Sequence, residues 1–288
     1  MAPTQRTIRL STGLDYHILE WGAGDPALSH TVFLIHGFLD IAWGWVPAVE
    51  SALAGELHVV APDMRGHGDS DRVGAGAYYH FMDYLADLDD LVAQLGRERV
   101  SLVGHSMGGS ICGYYAGVFP ERVHRLALLE GAGPPEMPMS APDRVKTWLA
   151  GWEQARTRTP RTYATLDEAA ARLRKNDPLL SEQLALELAA HGTRSIAGGY
   201  QFKHDPVHVT LGPYPFLVDI AKQFWSRITC PVLIVEGAES TFRYSPDEAA
   251  RRYDAFLNAE RVVLEGAAHM MQRHQPEKLG ELLADHLR

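Results

Sequence analysis

Short apolar runs and longer amphipathic stretches take turns along the chain. Two alternating segments, residues 7–10 and 16–21, predict edge strands. Residues 31–35 form a continuous β-rich apolar run that stops at His36-Gly37, as expected of a strand covered on both faces. Residues 58–61, 100–103, 126–129, 232–235 and 261–264 read the same way. Helical spacing fills the intervals at 43–53, 80–95, 107–119, 246–256 and 276–287, the last two with proline in the first turn. Such alternation predicts an α/β fold: a mostly parallel sheet with helices on both faces.

The alternation breaks between residues 134 and 227. There β-like runs vanish, and 144–156, 166–174 and 181–190 have helical character. The expected organisation is a core of 1–133 and 228–288 interrupted by a helical cap at 134–227. Residues 100–120 lack any charge and space Gly109, Gly113 and Gly117 like a membrane helix pair. They also contain Ser101, His105, Ser106 and Ser110, so a strand turning into a buried helix is the better reading, and no membrane span is expected.

Charge narrows the partners. The chain holds 27 basic and 36 acidic residues, a formal net charge of −9, with no Lys/Arg run long enough to track a phosphate backbone. Nucleic acid is thereby excluded as a partner, and a small-molecule substrate is expected. The insertion carries 12 basic and 10 acidic side chains, leaving 15 and 26 to the rest. A lid less negative than its base suits anionic or carbonyl-rich substrates, although a solvated face explains the imbalance equally well. With 46% hydrophobic and 22% charged residues, disorder is excluded for most of the chain. Two cysteines, Cys112 and Cys230, and a start without an apolar signal region fit a cytoplasmic setting.

The residues able to do chemistry sit at the ends of predicted strands. Gly104-His105-Ser106-Met107-Gly108 falls between a strand and a helix, where a G-x-S-x-G turn needs small neighbours to present its serine. A serine hydroxyl needs a base within reach. His269, after the last strand and ahead of the final helix, is in the right place; His274 is the weaker substitute. The loop at 36–40 brings backbone amides toward a reacting carbonyl, which makes the Phe38 and Met107 N–H groups the natural oxyanion pair. His36 reads as hydrogen-bonding the loop that shapes this hole, Asp63 and His67 as loop-fixing residues, since Gly66 and Gly68 mark tight backbone geometry, and His105 as a packing residue, since the turn directs it away from its serine neighbour.

HGF at 36–38, DMRGHGDSD at 63–71, GHSMGG at 104–109 and GAAH at 266–269 occur in the order of the α/β-hydrolase superfamily, which this chain resembles over nearly its whole length. Residues 80–96, GHSMGG and GGYQFKHDP at 198–206 are similar to the serine hydrolase-like group. The resemblance implies an eight-stranded, mostly parallel sheet and a Ser–His–acid triad. It also exposes a departure: where most members have an acid as fourth residue of G-x-x-D, Gly237-Ala238-Glu239-Ser240 has serine. Glu130, at the end of the strand that follows the serine's helix, is the favoured acid, as in haloalkane dehalogenases; Glu239 is the alternative and Glu236 a distant third. The implied chemistry is ester or thioester hydrolysis through a Ser106 acyl-enzyme, without cofactor or metal. Cleavage of a C–C bond, lactone or amide stays open, as do a ligand receptor with little turnover and a lyase or cyclase using His269 as base. Trp148, Trp152, Phe202, Phe216 and Trp225 are candidates to line the substrate pocket.

Overall fold

Alternation within the strands decides which helices cover which face. In the computed structural model, which describes residues 1–25, 28 and 30–288, Phe33, Ile35, Leu126, Leu128, Val232 and Ile234 join one buried cluster. Their neighbours Val32, Leu34, Ala127, Leu129, Leu233 and Val235 join another on the opposite face.

The elements in chain order begin with β1 (Thr4–Arg9), β2 (Asp15–Trp21), β3 (Thr31–Ile35), α1 (Val46–Ala52), β4 (His58–Pro62), α2 (Phe81–Gln94), β5 (Val100–His105), α3 (Met107–Val118) and β6 (Val123–Leu129). Then come α4 (Ala141–Thr157), α5 (Leu166–Asn176), α6 (Glu182–Gly192), β7 (Thr193–Ile196), β8 (Gly199–Phe202) and α7 (Val218–Trp225). The chain closes with β9 (Val232–Gly237), α8 (Pro246–Tyr253), β10 (Ala259–Leu264), α9 (Met271–His274) and α10 (Pro276–Leu287).

Eight strands form one sheet in the order β1-β2-β4-β3-β5-β6-β9-β10. Only β2 runs antiparallel to its neighbours; the remaining pairs are parallel. Helices α2, α3 and α7 pack on one face and α1 and α10 on the other. This is the alpha/beta hydrolase fold, in agreement with the alternation in the sequence.

Two features of residues 134–227 differ from the sequence expectation. β7 and β8 form a hairpin whose strands are four residues long, too short for period-two alternation to register, turning at Gly198 and Gly199 with φ of 91° and 138°. And α7 buries Val218, Ala221 and Trp225 in the main core against α3. The glycine spacing on α3 serves this packing: a Cβ on Gly117 would lie 2.4 Å from the Phe224 carbonyl oxygen, so no larger residue lets the two backbones meet. Helices α5 and α6 instead share a small core with Ile41 and Tyr163, and Trp43 stacks on His191 with ring centroids 3.4 Å apart. Among the described residues no helix is long and apolar enough to cross a membrane.

Candidate active site

Successive strands run to either side of β3 and β5, so the loops following them open a crevice at the carboxyl edge of the sheet. Ser106 occupies the turn between β5 and α3 at φ 52° and ψ −115°. The turn exists because helix and strand approach closely: a Cβ on Gly108 would stand 2.1 Å from the Ile35 carbonyl oxygen, and one on Gly104 2.4 Å from that of Gly108. A non-glycine residue held at such a φ costs roughly 1–3 kcal/mol, which the surrounding packing must supply.

His269, in the loop after β10, places Nε2 3.1 Å from Ser106 Oγ. Its Nδ1 lies 2.6 Å from Glu130 Oε2. Glu130 follows the last residue of β6 at φ 45° and is almost fully buried. Its Oε1 accepts the Gly237 N–H at 2.9 Å and its Oε2 also accepts the Ser240 hydroxyl at 2.8 Å. A buried carboxylate with these donors meets the demand that buried charge be hydrogen-bonded. Ser106, His269 and Glu130 thus form a continuous hydrogen-bonded chain.

The other candidate acids lie elsewhere. Glu239 is exposed and accepts the Gly266 N–H at 3.1 Å. Glu236 pairs with Arg261 at 2.9 Å and Tyr253 at 3.0 Å. The substitute base His274 is taken up by Asp177 at 2.6 Å and the Ala268 N–H at 3.1 Å.

Phe38 and Met107 both border the cavity that holds Ser106. Among the described residues neither backbone N–H has an acceptor. His36 and His67 hold this loop in place: Nε2 of His36 accepts the Met64 N–H at 2.9 Å, and Nε2 of His67 accepts the Leu39 N–H at 3.2 Å. Leu39 has φ 59°, the third non-glycine residue in the left-handed region beside Ser106 and Glu130. Asp63 accepts the Ala42 and Asp69 N–H groups and binds His17, all within 3.0 Å.

Three supports go beyond the sequence reading, which took His105 only for a packing residue and did not single out Phe242 or Asp40. His105 Nε2–H donates to the His269 carbonyl at 2.8 Å, fixing the backbone that carries the imidazole. Burial, with His269 nearby, pushes the His105 imidazolium down to about 3, so the ring is neutral. Phe242 packs its ring on His269, centroids 4.8 Å apart. Asp40 pairs with Arg273 and accepts Gln272 at 3.1 Å, tying the loop after β3 to α9. Their only trace in the sequence is proximity to the motifs.

The cavity measures about 960 Å³ and has a largely apolar wall that includes Phe81, Tyr114, Leu217, Ile220 and Phe242. Of the aromatic candidates, Phe216 lines it. Trp225 is fully buried under α3, stacked on Phe256 at 5.1 Å. Trp148 and Trp152 stack on each other at 5.0 Å and against Tyr78, further along α4 than the part bordering the cavity. Phe202 packs on Tyr163 at 5.5 Å beside the small core of α5 and α6. Those four are corrected to packing residues. Aromatic content cannot tell a wall from a core, because both are apolar.

The family described as alpha/beta hydrolase fold matches residues 30–273. A serine hydrolase-like protein of Danio rerio is 27% identical over 279 residues, covering 93% of this chain and 83% of its own length. Among solved structures, a thioesterase domain from the curacin biosynthetic pathway is similar with a TM-score of 0.85 and 26% identity, over 98% of this chain and 99% of that one. A hypothetical protein from Pseudomonas aeruginosa PAO1 gives a TM-score of 0.85 at 28% identity, over 99% and 98%.

Proposed function

The chain belongs to the alpha/beta hydrolase fold family, and on that premise we propose that it is a serine hydrolase cleaving esters or thioesters of small, largely apolar acyl groups. The hydrogen-bonded chain from Ser106 through His269 to Glu130, at 3.1 and 2.6 Å, carries this reading. His269 takes the Ser106 proton at Nε2 as Oγ attacks the carbonyl, and Nδ1–H stays bonded to Glu130, which holds the tautomer and stabilises the imidazolium. The Phe38 and Met107 amides receive the oxyanion. His269 then gives its proton to the leaving alcohol or thiol. Water, deprotonated by the same imidazole, attacks the acyl-enzyme, releases the acid and restores Ser106.

Residues 134–227 act as the lid that closes the acyl pocket, with α7 anchoring it to the core. The thioesterase domain's similarity supports a thioester as one substrate form. The route needs no cofactor.

A fluorophosphonate followed by intact mass tests the proposal. One adduct is expected on the wild type and none on Ser106→Ala, whose turnover of a p-nitrophenyl ester should fall by roughly 10⁴-fold or more. Activity surviving Ser106→Ala would make His269 the base of a lyase or cyclase. Ligand binding without turnover would make the protein a receptor.

A further inference from the structure

Arg144 carries a second message, about the substrate, and it rests on the serine-hydrolase reading. It is the one buried residue of α4, 7% exposed, and it borders the cavity that holds Ser106. Its Nη1 donates to the Gly212 carbonyl at 2.9 Å and reaches that of Tyr214 at 3.5 Å. Its Nε is buried without an acceptor, and Nη2, which keeps solvent access, has none among the described residues either. No described carboxylate forms an ion pair with this guanidinium.

Nε and Nη2 form the edge of an arginine that grips a carboxylate with two parallel hydrogen bonds. Arg65 uses that edge on Asp87, at 2.5 and 2.7 Å. In Arg144 neither nitrogen of that edge has a partner among the described residues, and the residue borders the cavity. A nearly buried cation without a counter-charge is costly, and a bound oxyanion removes that cost. Glu130, the carboxylate on the cavity wall, is committed to His269, Gly237 and Ser240. The cavity therefore offers one unmet charge, a positive one, in a mostly apolar wall.

We propose that Arg144 binds an oxyanion group of the substrate, so that the enzyme selects esters or thioesters bearing a carboxylate or phosphate away from the scissile carbonyl. The insertion's surplus of basic over acidic side chains, 12 to 10, agrees in sign.

Two substrate pairs separate the possible sources of the anion. Mono-p-nitrophenyl suberate against p-nitrophenyl octanoate places it on the acyl chain. Octanoyl-coenzyme A against the octanoyl thioester of N-acetylcysteamine places it on the leaving group. In one arm the wild type should favour the anionic member in kcat/KM by about 10- to 100-fold. Arg144→Gln should abolish the preference and Arg144→Lys should keep part of it. Each preference is a ratio on one protein, so partial misfolding of a variant cancels. Hydrolysis without preference in either arm, or a preference that survives Arg144→Gln, overturns the role of Arg144 and leaves that of Ser106 standing. Absence of all turnover and of any fluorophosphonate adduct overturns the hydrolase reading instead. Binding to Ser106→Ala then decides the present one: monomethyl suberate should bind at least about tenfold more tightly than methyl 8-hydroxyoctanoate, and equal binding overturns it.

Discussion

Ser240 donates its hydroxyl to Oε2 of Glu130 at 2.8 Å, reaching from the loop after β9 to the end of the adjacent strand β6. The same hydroxyl accepts the Phe242 N–H at 3.1 Å, which sets the aromatic ring that packs on His269. Ser240 stands where relatives of this fold commonly carry an acid. Here the carboxylate that bonds His269 comes from the next strand, and the serine bonds it in turn.

Exchange of the two roles is measurable. Glu130→Gln should lower kcat by about 10³- to 10⁴-fold, because the amide cannot keep the His269 tautomer or balance its charge. Glu239→Gln should retain most activity, since that side chain only steadies the Gly266 turn. Ser240→Asp alone should be impaired by like-charge repulsion against Glu130. Combined with Glu130→Gln it should recover part of the loss, as read from steady-state ester hydrolysis. A fully active Glu130→Gln would remove Glu130 from the mechanism.

Close backbone approach makes one glycine substitution act against propensity. Gly to Ala inside a helix ordinarily stabilises by about 1 kcal/mol. Gly108→Ala should instead destabilise by several kcal/mol or block folding, because its Cβ would meet the Ile35 carbonyl at 2.1 Å. Gly55→Ala, with open space around its Cβ but φ of 90°, should show only the modest cost of that backbone. Urea denaturation of both variants makes the comparison.

The Asp40–Arg273 pair is buried at both ends, 2% and 8% exposed. Arg273→Ala leaves the Asp40 carboxylate without its cation and should cost about 3–5 kcal/mol. Burial pushes the Asp40 carboxyl up, but the paired Arg273 guanidinium brings it below its ordinary value overall. Its share of stability is therefore present above the unfolded-state value and lost as pH falls through the folded-state one. Arg273→Ala should move the acid unfolding midpoint upward in pH, as followed by circular dichroism.

Neutral buried histidines give a second acid response. Burial holds His105 at about 3 and His208 at about 4, below the ordinary 6.5. Between those values the unfolded chain binds protons that the folded chain does not, so stability is full above about pH 6.5 and declines as pH falls below it. Urea midpoints measured from pH 8 to pH 4 should follow that slope. In His105→Asn, whose amide can still donate to the His269 carbonyl, the slope should be shallower. An equal slope would mean that the ring is charged in the native state.

What was legible in the chain was local. Residues 31–35 and 100–103 announce covered strands because an apolar run of that length, closed by glycine, has few other ways to satisfy its backbone. Ser106 and His269 can be picked out by where they stand relative to the strand before each and the helix after, and strand order brings those ends together. The hairpin at 193–202 is illegible because four-residue strands carry too little pattern. Trp225 reads like any lid aromatic, and only its packing against α3 separates core from cavity wall.

The sequence by itself determined the order of strands and helices and the two side chains that meet at the sheet's edge, since period and turn chemistry act over a few residues. Tertiary structure decided which glutamate reaches His269, which aromatics face the cavity and that Arg144 keeps guanidinium nitrogens without partners among the described residues. Those outcomes depend on which strands lie side by side and how side chains pack across them, and such neighbours are far apart along the chain, Glu130 and His269 by 139 residues and Arg144 and Gly212 by 68.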